Sequence, residues 1–313
     1  MPTSIAITQI SKHFAVGKTG RVQALHPFSL DIEEGEIFGL LGPDGSGKTT
    51  LFRILTTLML PDSGTATIGG YDIVKDIKKI RETVGYMPGR FSLYQDLSVE
   101  ENLRFFATLF NTTVEAHYDF IKDIYTHIEP FKKRKAGNLS GGMKQKLALC
   151  CALIHKPNIL FLDEPTTGVD PVSRKEFWDM LQRLKADGMT ILASTPYMDE
   201  AELCDRIGLL QNGRFIGCNT PERLRAEFTA PLRAVRATEM SRLLRDLRDY
   251  RYCRSCYAFG EFHHISLAPG FSDEDLTGYL KRLHFSRLEI HPLEPTIEDC
   301  FMALMQEGGS HDA

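Results

Sequence analysis

The spacing of hydrophobic residues changes from strand-like to helix-like in the N-terminal part of the chain. Short β-prone runs bounded by turn residues predict strands at 4–10, 23–32 and 36–41. A glycine-rich stretch follows, and then apolar residues recur with the i, i+3, i+4, i+7 spacing of one buried helical face at Leu51, Ile54, Leu55 and Leu58. The pattern therefore predicts strands that lead through a loop into a helix, with a turn at Pro61–Gly64.

The middle of the chain alternates helical patterns with continuous apolar runs. Helical spacing is present at 98–109 and 118–128, and a further helix begins near Ser140. Two short, mainly apolar runs, 158–162 and 190–194, are typical of parallel strands buried on both faces. This alternation predicts an α/β fold.

The C-terminal part has a different organisation. Thr220 and Pro221 form an N-cap and first-turn pair for a short helix that ends before Pro231, which predicts a domain boundary near Thr229. Beyond it, the pattern from Leu232 to His291 predicts β-α-β-β-α-β, and a last helix follows at 297–305. We expect a first domain at 1–229 and a small α+β, ferredoxin-like domain at 230–313.

Composition narrows the function classes. The chain has 313 residues, 42% hydrophobic and 25% charged, with a net charge of −4, which excludes disorder as the main state and predicts no general affinity for nucleic acid. No run approaches the roughly 20 apolar residues that span a bilayer, and 1–14 lacks the pattern of a secretory signal. We expect a cytoplasmic location, with the odd count of seven cysteines reduced.

The glycine-rich stretch matches the phosphate-loop pattern G-x-x-x-x-G-K-[ST], between a predicted strand and a predicted helix. Backbone N–H groups and the helix N-terminus bind phosphates, Lys48 contacts the outer phosphates, and the Thr49 hydroxyl is a magnesium ligand. The candidate nucleotide-binding residues here are Gly42, Pro43, Asp44, Gly45, Ser46, Gly47, Lys48, Thr49 and Thr50.

Two carboxylates follow the apolar run Ile159–Leu162, at the strand end where ligands bind in open α/β sheets. We expect Asp163 to hold the magnesium shell. We expect Glu164 to be the catalytic base that polarises the attacking water during transfer of the γ-phosphoryl group.

The segment Leu139–Gln145 reads LSGGMKQ, an N-cap Ser and two glycines at a helix start, and predicts a second phosphate site. With the two motifs above, it resembles the ATP-binding cassette (ABC) ATPases. The resemblance implies a P-loop NTPase fold with an antiparallel β subdomain and a helical signature subdomain at about 91–155. It also implies ATP and Mg²⁺ bound between two ATPase halves, with adenine stacked on Phe14. Residues acting in trans on the partner's nucleotide are Ser140, Gly141, Gly142, Gln145 and Asp170.

The wording GVDP at Gly168–Pro171 and YMDEAE at Tyr197–Glu202 resembles the branch that contains drug, lipid and polysaccharide exporters. The resemblance implies an integral membrane permease as partner and a peripheral place on the inner face of the membrane. It also implies that 91–105 faces the permease, through an exposed apolar surface made of Phe91, Leu93, Tyr94 and Leu97.

Two positions depart from the family pattern. Gly89 stands where a Gln follows Met87-Pro88, and Pro196 stands where a His bonds the γ-phosphate. Neither residue can supply that side-chain hydrogen bond, and loss of one such donor commonly costs on the order of 100- to 1,000-fold in rate. We expect ATP binding with slow hydrolysis, as in the first ATPase half of tandem-ATPase efflux systems.

Other functions stay open at this point. The chain could instead be a nucleotide-gated regulator or scaffold without meaningful ATPase activity. A soluble ABC protein acting on ribosomes or DNA would carry two ATPase halves, a basic linker or a long coiled coil, and the sequence has none of these. Cys253 and Cys256, with His263 and His264 beyond a hairpin, suggest a zinc site, but strand positions three apart point to opposite faces.

Overall fold

The computed structural model describes residues 2–17 and 20–309, with side chains described to residue 305. The chain divides into two compact units, 1–221 and 222–313. The boundary between the two units, at 221/222, lies N-terminal to the predicted boundary at 229/230. The physical reason lies in the short helix at 221–227, because Leu224 is buried and its carbonyl accepts a hydrogen bond from Cys300 Sγ (3.4 Å), within the second unit.

The first unit contains two sheets and the helices around them. Its strands are β1 (Thr3–Val16), β2 (Gly20–Glu33), β3 (Ile37–Leu41), β4 (Ser63–Ile68), β5 (Tyr71–Asp72), β6 (Val84–Met87), β7 (Ile159–Asp163), β8 (Thr190–Ser194), β9 (Arg206–Gln211) and β10 (Arg214–Asn219). Its helices are α1 (Lys48–Leu55), α2 (Ile77–Thr83), α3 (Val99–Leu109), α4 (Val114–Tyr125), α5 (Gly141–Leu153), α6 (Pro171–Ala186) and α7 (Met198–Ala201), with 3-10 turns at Glu129–Phe131 and Ala136–Asn138.

The two sheets confirm the predicted α/β fold with an antiparallel subdomain. A four-stranded sheet of order β2-β1-β4-β5 pairs antiparallel throughout. A six-stranded sheet has the order β10-β9-β3-β8-β7-β6, in which only β10 pairs antiparallel. Every residue of β3, β7 and β8 is buried, as expected for parallel strands covered on both faces. The carboxyl ends of these three strands therefore meet at one edge of the sheet.

Helix α1 is shorter than its predicted apolar face. It ends at Leu55, Thr57 adopts a left-handed φ of 61°, and the side chain of Leu58 is 57% exposed. The Thr56 hydroxyl donates to Phe52 O (2.8 Å), which satisfies a carbonyl of the last turn. The prediction that Leu58 belongs to the buried helical face was wrong because the chain leaves the helix one turn earlier.

The second unit has the predicted β-α-β-β-α-β order. It consists of α8 (Pro221–Glu227), β11 (Leu232–Arg236), α9 (Met240–Arg248), β12 (Cys253–Phe259), β13 (Phe262–Leu267), α10 (Asp273–Arg282), β14 (Glu289–Pro292) and α11 (Ile297–Gly309). Its antiparallel sheet has the order β12-β13-β11-β14. Its ferredoxin-like classification stays a prediction.

The described part of the chain contains neither a membrane-spanning helix nor a metal cluster. No helix there has the length and apolar character needed to span a bilayer. Within the same residues, no cluster of three or more His, Cys, Asp or Glu side chains is placed to hold a metal ion. Burial raises the pKa of the Cys253 thiol to about 11 and that of Cys256 to about 12.

Candidate active site

The phosphate loop joins the end of β3 to the start of α1, and close backbone contacts require glycine at two of its positions, Gly42 and Gly47. A Cβ atom on Gly42 would lie 2.1 Å from Leu210 O. Gly47 has a φ of 109°, and a Cβ there would lie 2.5 Å from Ala24 O. Because no side chain fits at these positions, the backbone N–H groups of the loop remain accessible to an anion.

Lys48 is the cation at the centre of this loop. Its side chain is 4% exposed, and Nζ donates hydrogen bonds to Gly42 O (2.8 Å) and Pro43 O (3.1 Å). The same Nζ lies 3.5 Å from Glu164 Oε1, so the loop and the acidic strand end contact each other directly. The predicted phosphate ligand and the predicted base therefore belong to one site.

Ser46 supplies an independent sign that the loop is built to take an oxygen-rich ligand. Its hydroxyl is buried and has no hydrogen-bond partner among the described residues. Buried polar atoms are almost always hydrogen-bonded, and an unpaired one needs an explanation. Together with the Lys48 ammonium and the open loop backbone, this hydroxyl fits the oxygens of a nucleotide's phosphates.

Asp163 is held by the neighbouring strand. It ends β7, is 2% exposed, and pairs in register with Ser194, the last residue of β8. Ser194 Oγ donates to Asp163 Oδ1 (2.9 Å) and accepts from Glu164 N (3.0 Å). A carboxylate in this position and the exposed hydroxyl of Thr49, in the first turn of α1, are oxygen donors of the kind that Mg²⁺ prefers.

Glu164 has an unusual backbone conformation. Its φ is 51°, in the left-handed region that residues with a side chain rarely adopt. Its carboxylate is 24% exposed and lies between Lys48 Nζ and the Thr167 hydroxyl, which donates to Oε2 (3.4 Å). A partly exposed carboxylate fixed in this way can accept a proton from a water molecule in the site.

The LSGGMKQ segment, Leu139–Gln145, is called the signature segment here and includes the start of α5. Ser140 is the N-cap, and its hydroxyl accepts from Met143 N (3.4 Å). Ser140 and Gly141 are exposed, while a Cβ on Gly142 would lie 2.6 Å from Ser173 Oγ, so the start of α5 packs against the start of α6. Gln145 lines a cavity of about 780 Å³ that also includes Phe91.

Asp170 and Phe14 are both accessible. Asp170 is the N-cap of α6 and accepts from Ser173 N (3.0 Å), and hydrogen bonds from the backbone and then the side chain of Ser173 hold the pKa of Asp170 below its usual range. Phe14 lies on β1 opposite Val22, with a ring 38% exposed. The predicted residues therefore lie in three places. The phosphate loop lies with Asp163 and Glu164, the signature residues and Asp170 lie at the start of α5 and α6, and Phe14 lies on the antiparallel sheet.

Sequence reasoning missed the residues that hold this site in shape. Ser194 contacts both acidic residues, and the half-buried Arg174 pairs with the buried Glu200 (3.3 Å), which bonds Thr166, two residues beyond Glu164. Only Ser194 carried a signal, because it ends a buried strand that could be expected beside β7. The two departures from the family pattern lie here as well, since a Cβ on Gly89 would be 2.9 Å from Asp163 O and Pro196 directly follows Thr195.

A phosphate loop and an acidic strand end on one edge of a parallel sheet define a P-loop NTPase. The model of the family described as "ABC transporter" matches residues 25–167. The chain is 37% identical over 227 residues to the daunorubicin resistance ATP-binding protein DrrA3 of Streptomyces coeruleorubidus, covering 71% of this chain and 72% of that protein. The chain belongs to the ABC transporter ATP-binding proteins.

Other comparisons agree with this assignment. The chain is 47% identical over 203 residues to the probable multidrug ABC transporter ATP-binding protein YbhF of Escherichia coli (strain K12), covering 64% of this chain and 35% of that protein. It thus spans about a third of the length of that relative. A dimeric ATP-binding cassette, MJ0796, solved in a post-hydrolysis state with ADP and Pi, matches 69% of this chain and 98% of its own, at 26% identity and a TM-score of 0.63.

Proposed function

We propose that this chain is the ATP-binding subunit of an exporter, in which two ATPase halves bind and hydrolyse ATP to drive a separate membrane permease. The observation that carries the proposal is the contact of Lys48 with Glu164 at 3.5 Å, beside the buried Asp163–Ser194 pair. The multidrug and daunorubicin-resistance relatives support a drug as cargo, and a lipid is the other cargo that we propose. The permease would hold the subunit at the cytoplasmic face of the membrane.

The chain's own residues account for the steps of hydrolysis. The phosphate loop and Lys48 bind and neutralise the phosphates, and Phe14 stacks on the adenine. Water oxygen attacks the γ-phosphorus, the bond to the β,γ-bridging oxygen breaks, and Glu164 accepts a proton from that water. Magnesium held by Thr49 and Asp163 would supply positive charge at the phosphate oxygens.

The second ATPase half is supported by the accessible edge at the start of α5 and α6. Ser140, Gly141, Gly168 and Asp170 are exposed there, and the side chain of Val172 is 70% exposed. Helix N-termini attract anions, so this edge suits the phosphates of a nucleotide bound to a partner half. The partner would be a second copy of this chain or a different, complete ATPase.

Slow hydrolysis is part of the proposal. Gly89 lacks a side chain, and the exposed Pro196 has neither an imidazole nor an N–H to donate, so neither supplies the side-chain hydrogen bond expected at its position. Glu164 would then act without the Gln and His side chains that the family pattern places around the γ-phosphate. A regulator that binds ATP without turnover is the second candidate, and the same two residues favour it.

The permease contact is proposed at the surface around Tyr94. Tyr94 is 51% exposed, and its ring packs edge-on against Phe105, with ring centroids 4.8 Å apart. Phe91 is half-buried in the 780 Å³ cavity, and Leu97 is half-buried. Leu93, expected to be exposed, is only 8% exposed, because it packs inward; that expectation was wrong.

Tyr94→Asp tests this contact surface. We expect transport in cells that contain the permease to fall, because a charge would be placed in an apolar interface, while ATP binding by the purified chain is unchanged. Leu60→Asp, at a position 55% exposed and outside the cavity lining, is the matched control. Normal transport with Tyr94→Asp would place the permease elsewhere.

Binding and turnover separate the two candidate functions. Lys48→Ala should abolish ATP binding, and Glu164→Gln should keep binding but abolish hydrolysis. ATP binding by the unmodified chain without any turnover above Glu164→Gln would favour the regulator. Binding that survives Lys48→Ala would contradict the assigned site.

A further inference from the structure

A buried carboxylate ties together the two segments that leave the active-site strands. Glu200 has a side chain only 3% exposed, and it accepts hydrogen bonds from the hydroxyls of Thr166 (2.7 Å) and Thr195. Thr166 follows Glu164 by two residues, and Thr195 directly follows Ser194. Glu200 therefore fixes both segments just beyond the residues that contact Asp163.

The counter-charge for Glu200 comes from helix α6. Arg174 Nε lies 3.3 Å from Glu200 Oε1, and Arg174 Nη2 bonds Asp199. The guanidinium carbon lies 3.9 Å from the centre of the Tyr197 ring. Because a buried carboxylate without a cation is costly, loss of Arg174 would open the segment that Glu200 holds.

This arrangement acts on the predicted base through its backbone. A residue other than glycine at the φ of Glu164 (51°) is strained, and it keeps this conformation because the surrounding structure holds it there. The Ser194 hydroxyl accepts a hydrogen bond from the N–H of Glu164, and Glu200 holds Thr166, two residues after Glu164. Without the Glu200 contacts, the strained conformation that directs Glu164 towards Lys48 would relax.

Arg174 also belongs to the first turn of α6, the helix that begins at the accessible edge. Its N–H donates to Asp170 O (2.9 Å), and the adjacent Ser173 contacts Gly142 of the signature. We propose that Arg174 and Glu200 are a positioning pair that holds Glu164 for hydrolysis and makes it move together with the start of α6. This inference rests on the proposed ATPase function.

Arg174→Gln tests the pair through steady-state hydrolysis. We expect kcat to fall about tenfold or more while KM for ATP stays within about twofold, because the phosphate loop is untouched. Arg206→Gln is the matched control: Arg206 pairs with the buried Glu36 (3.0 Å) and lies over the Phe38 ring (5.4 Å), at the opposite end of β3. Its kcat should stay within about twofold of the unmodified chain.

Arg174→Lys separates positioning from general stability. Lysine restores the charge but not the planar contacts, so kcat should recover only in part, with melting temperatures of both Arg174 variants close to that of Arg206→Gln. A rise in KM with kcat unchanged, or equal kcat for Arg174→Gln and Arg206→Gln, would overturn the proposal.

Trp178 provides a readout that needs no turnover. It is the chain's only tryptophan, lies one turn beyond Arg174 on α6, and is 1% exposed. In a Glu164→Gln background, ATP should change its fluorescence, and Arg174→Gln should abolish that change while binding, measured by equilibrium dialysis, persists. The pairing would be overturned if ATP binds to Glu164→Gln without changing the Trp178 fluorescence. It would also be overturned if the fluorescence change persists after Arg174→Gln is added. Absence of ATP binding would instead overturn the proposed function, and this inference with it.

Discussion

Gly89 and Pro196 stand where the family pattern has a Gln and a His around the γ-phosphate, and the two positions differ in how well they can accept those side chains. Pro196 is exposed, so a larger side chain has room there. Gly89 passes so close to β7 that a Cβ would lie 2.9 Å from Asp163 O. A real Cβ essentially never comes that near a backbone oxygen, so Gln at this position requires the backbone to shift.

Pro196→His should therefore raise ATP turnover severalfold, because it restores one hydrogen-bond donor to the transition state. Adding Gly89→Gln should give no further gain and should lower the melting temperature. Steady-state kinetics and thermal unfolding of the single and double variants measure both effects. Pro196→Ala controls for loss of the proline ring, and a double variant faster than Pro196→His would contradict the close approach at Gly89.

Ser194→Ala tests the residue that joins both acidic side chains. Removal of its hydroxyl frees Asp163 Oδ1 and leaves Glu164 N with its bond to Ser194 O (3.2 Å) alone, and a misplaced base commonly costs about 10- to 100-fold in rate. Thr190→Val removes a hydroxyl from the other end of the same strand, where it accepts from Gly35 N (3.0 Å). Turnover by Thr190→Val should be normal. Equal losses in the two variants would show that Ser194 acts only through stability.

The phosphate loop, Asp163 and Glu164 could be predicted from sequence because each lies in a short motif with local spacing. Arg174 and Glu200 could not, because their contact depends on how α6 and the segment after β8 pack together. The left-handed backbone of Glu164 was equally hidden. Neighbouring strand ends are set by sheet order, and the sequence predicts strands without ordering them.

At the scale of elements, strands buried on both faces were easier to predict than helix ends. The apolar runs that became β7 and β8 were placed to within a residue. Helix α4 begins at Val114, earlier than predicted, because Thr113 caps it by accepting from Ala116 N (3.1 Å). β4 begins at Ser63, inside the predicted turn. Caps and turns decide these ends through single hydrogen bonds, which hydrophobic spacing does not report.

Helix α11 is held to its sheet by one carboxylate. Asp299 Oδ2 accepts from Thr296 N (2.9 Å) and the Thr296 hydroxyl (2.7 Å) at the helix start, and Asp299 Oδ1 contacts His264 Nδ1 on β13 (2.9 Å). Burial alone would raise the pKa of Asp299, but these hydrogen bonds outweigh it and hold the pKa below its usual range. The charged form is therefore the one that stabilises the unit.

Asp299→Asn should lower the free energy of unfolding of the second unit by about 1–3 kcal/mol at pH 7. With Asp299 in place, this stability is fully present above the carboxyl's unfolded pKa of about 3.9 and is lost as the pH falls through its lower folded pKa. Urea unfolding at several pH values measures both effects. Asp273→Asn, which removes an exposed ion pair with Arg233, should cost less than about 1 kcal/mol. Equal costs would contradict the role of Asp299.

At the scale of the whole molecule, the family could be predicted from three motifs, and the comparisons show it. The motifs lie in the first unit, and the relatives include a probable multidrug ABC transporter ATP-binding protein and a daunorubicin resistance ATP-binding protein. The role of the second unit was not predictable, because its sequence carries a topology without a chemical motif. Deletion of the second unit, 222–313, followed by measurement of ATP-dependent dimerisation, would show whether it holds two halves together.

We propose Glu164 as the base in ATP hydrolysis between two ATPase halves. Steady-state hydrolysis by the purified chain over a wide range of protein concentration, with Glu164→Gln as the blank, is the first measurement to make. We expect slow turnover per chain that rises with concentration, because assembly completes the site, and that vanishes in the blank. Turnover that is independent of concentration, or that survives Glu164→Gln, would refute hydrolysis by Glu164 between two halves of this chain. ATP binding without turnover would refute it as well and would leave a different, complete ATPase as the partner half.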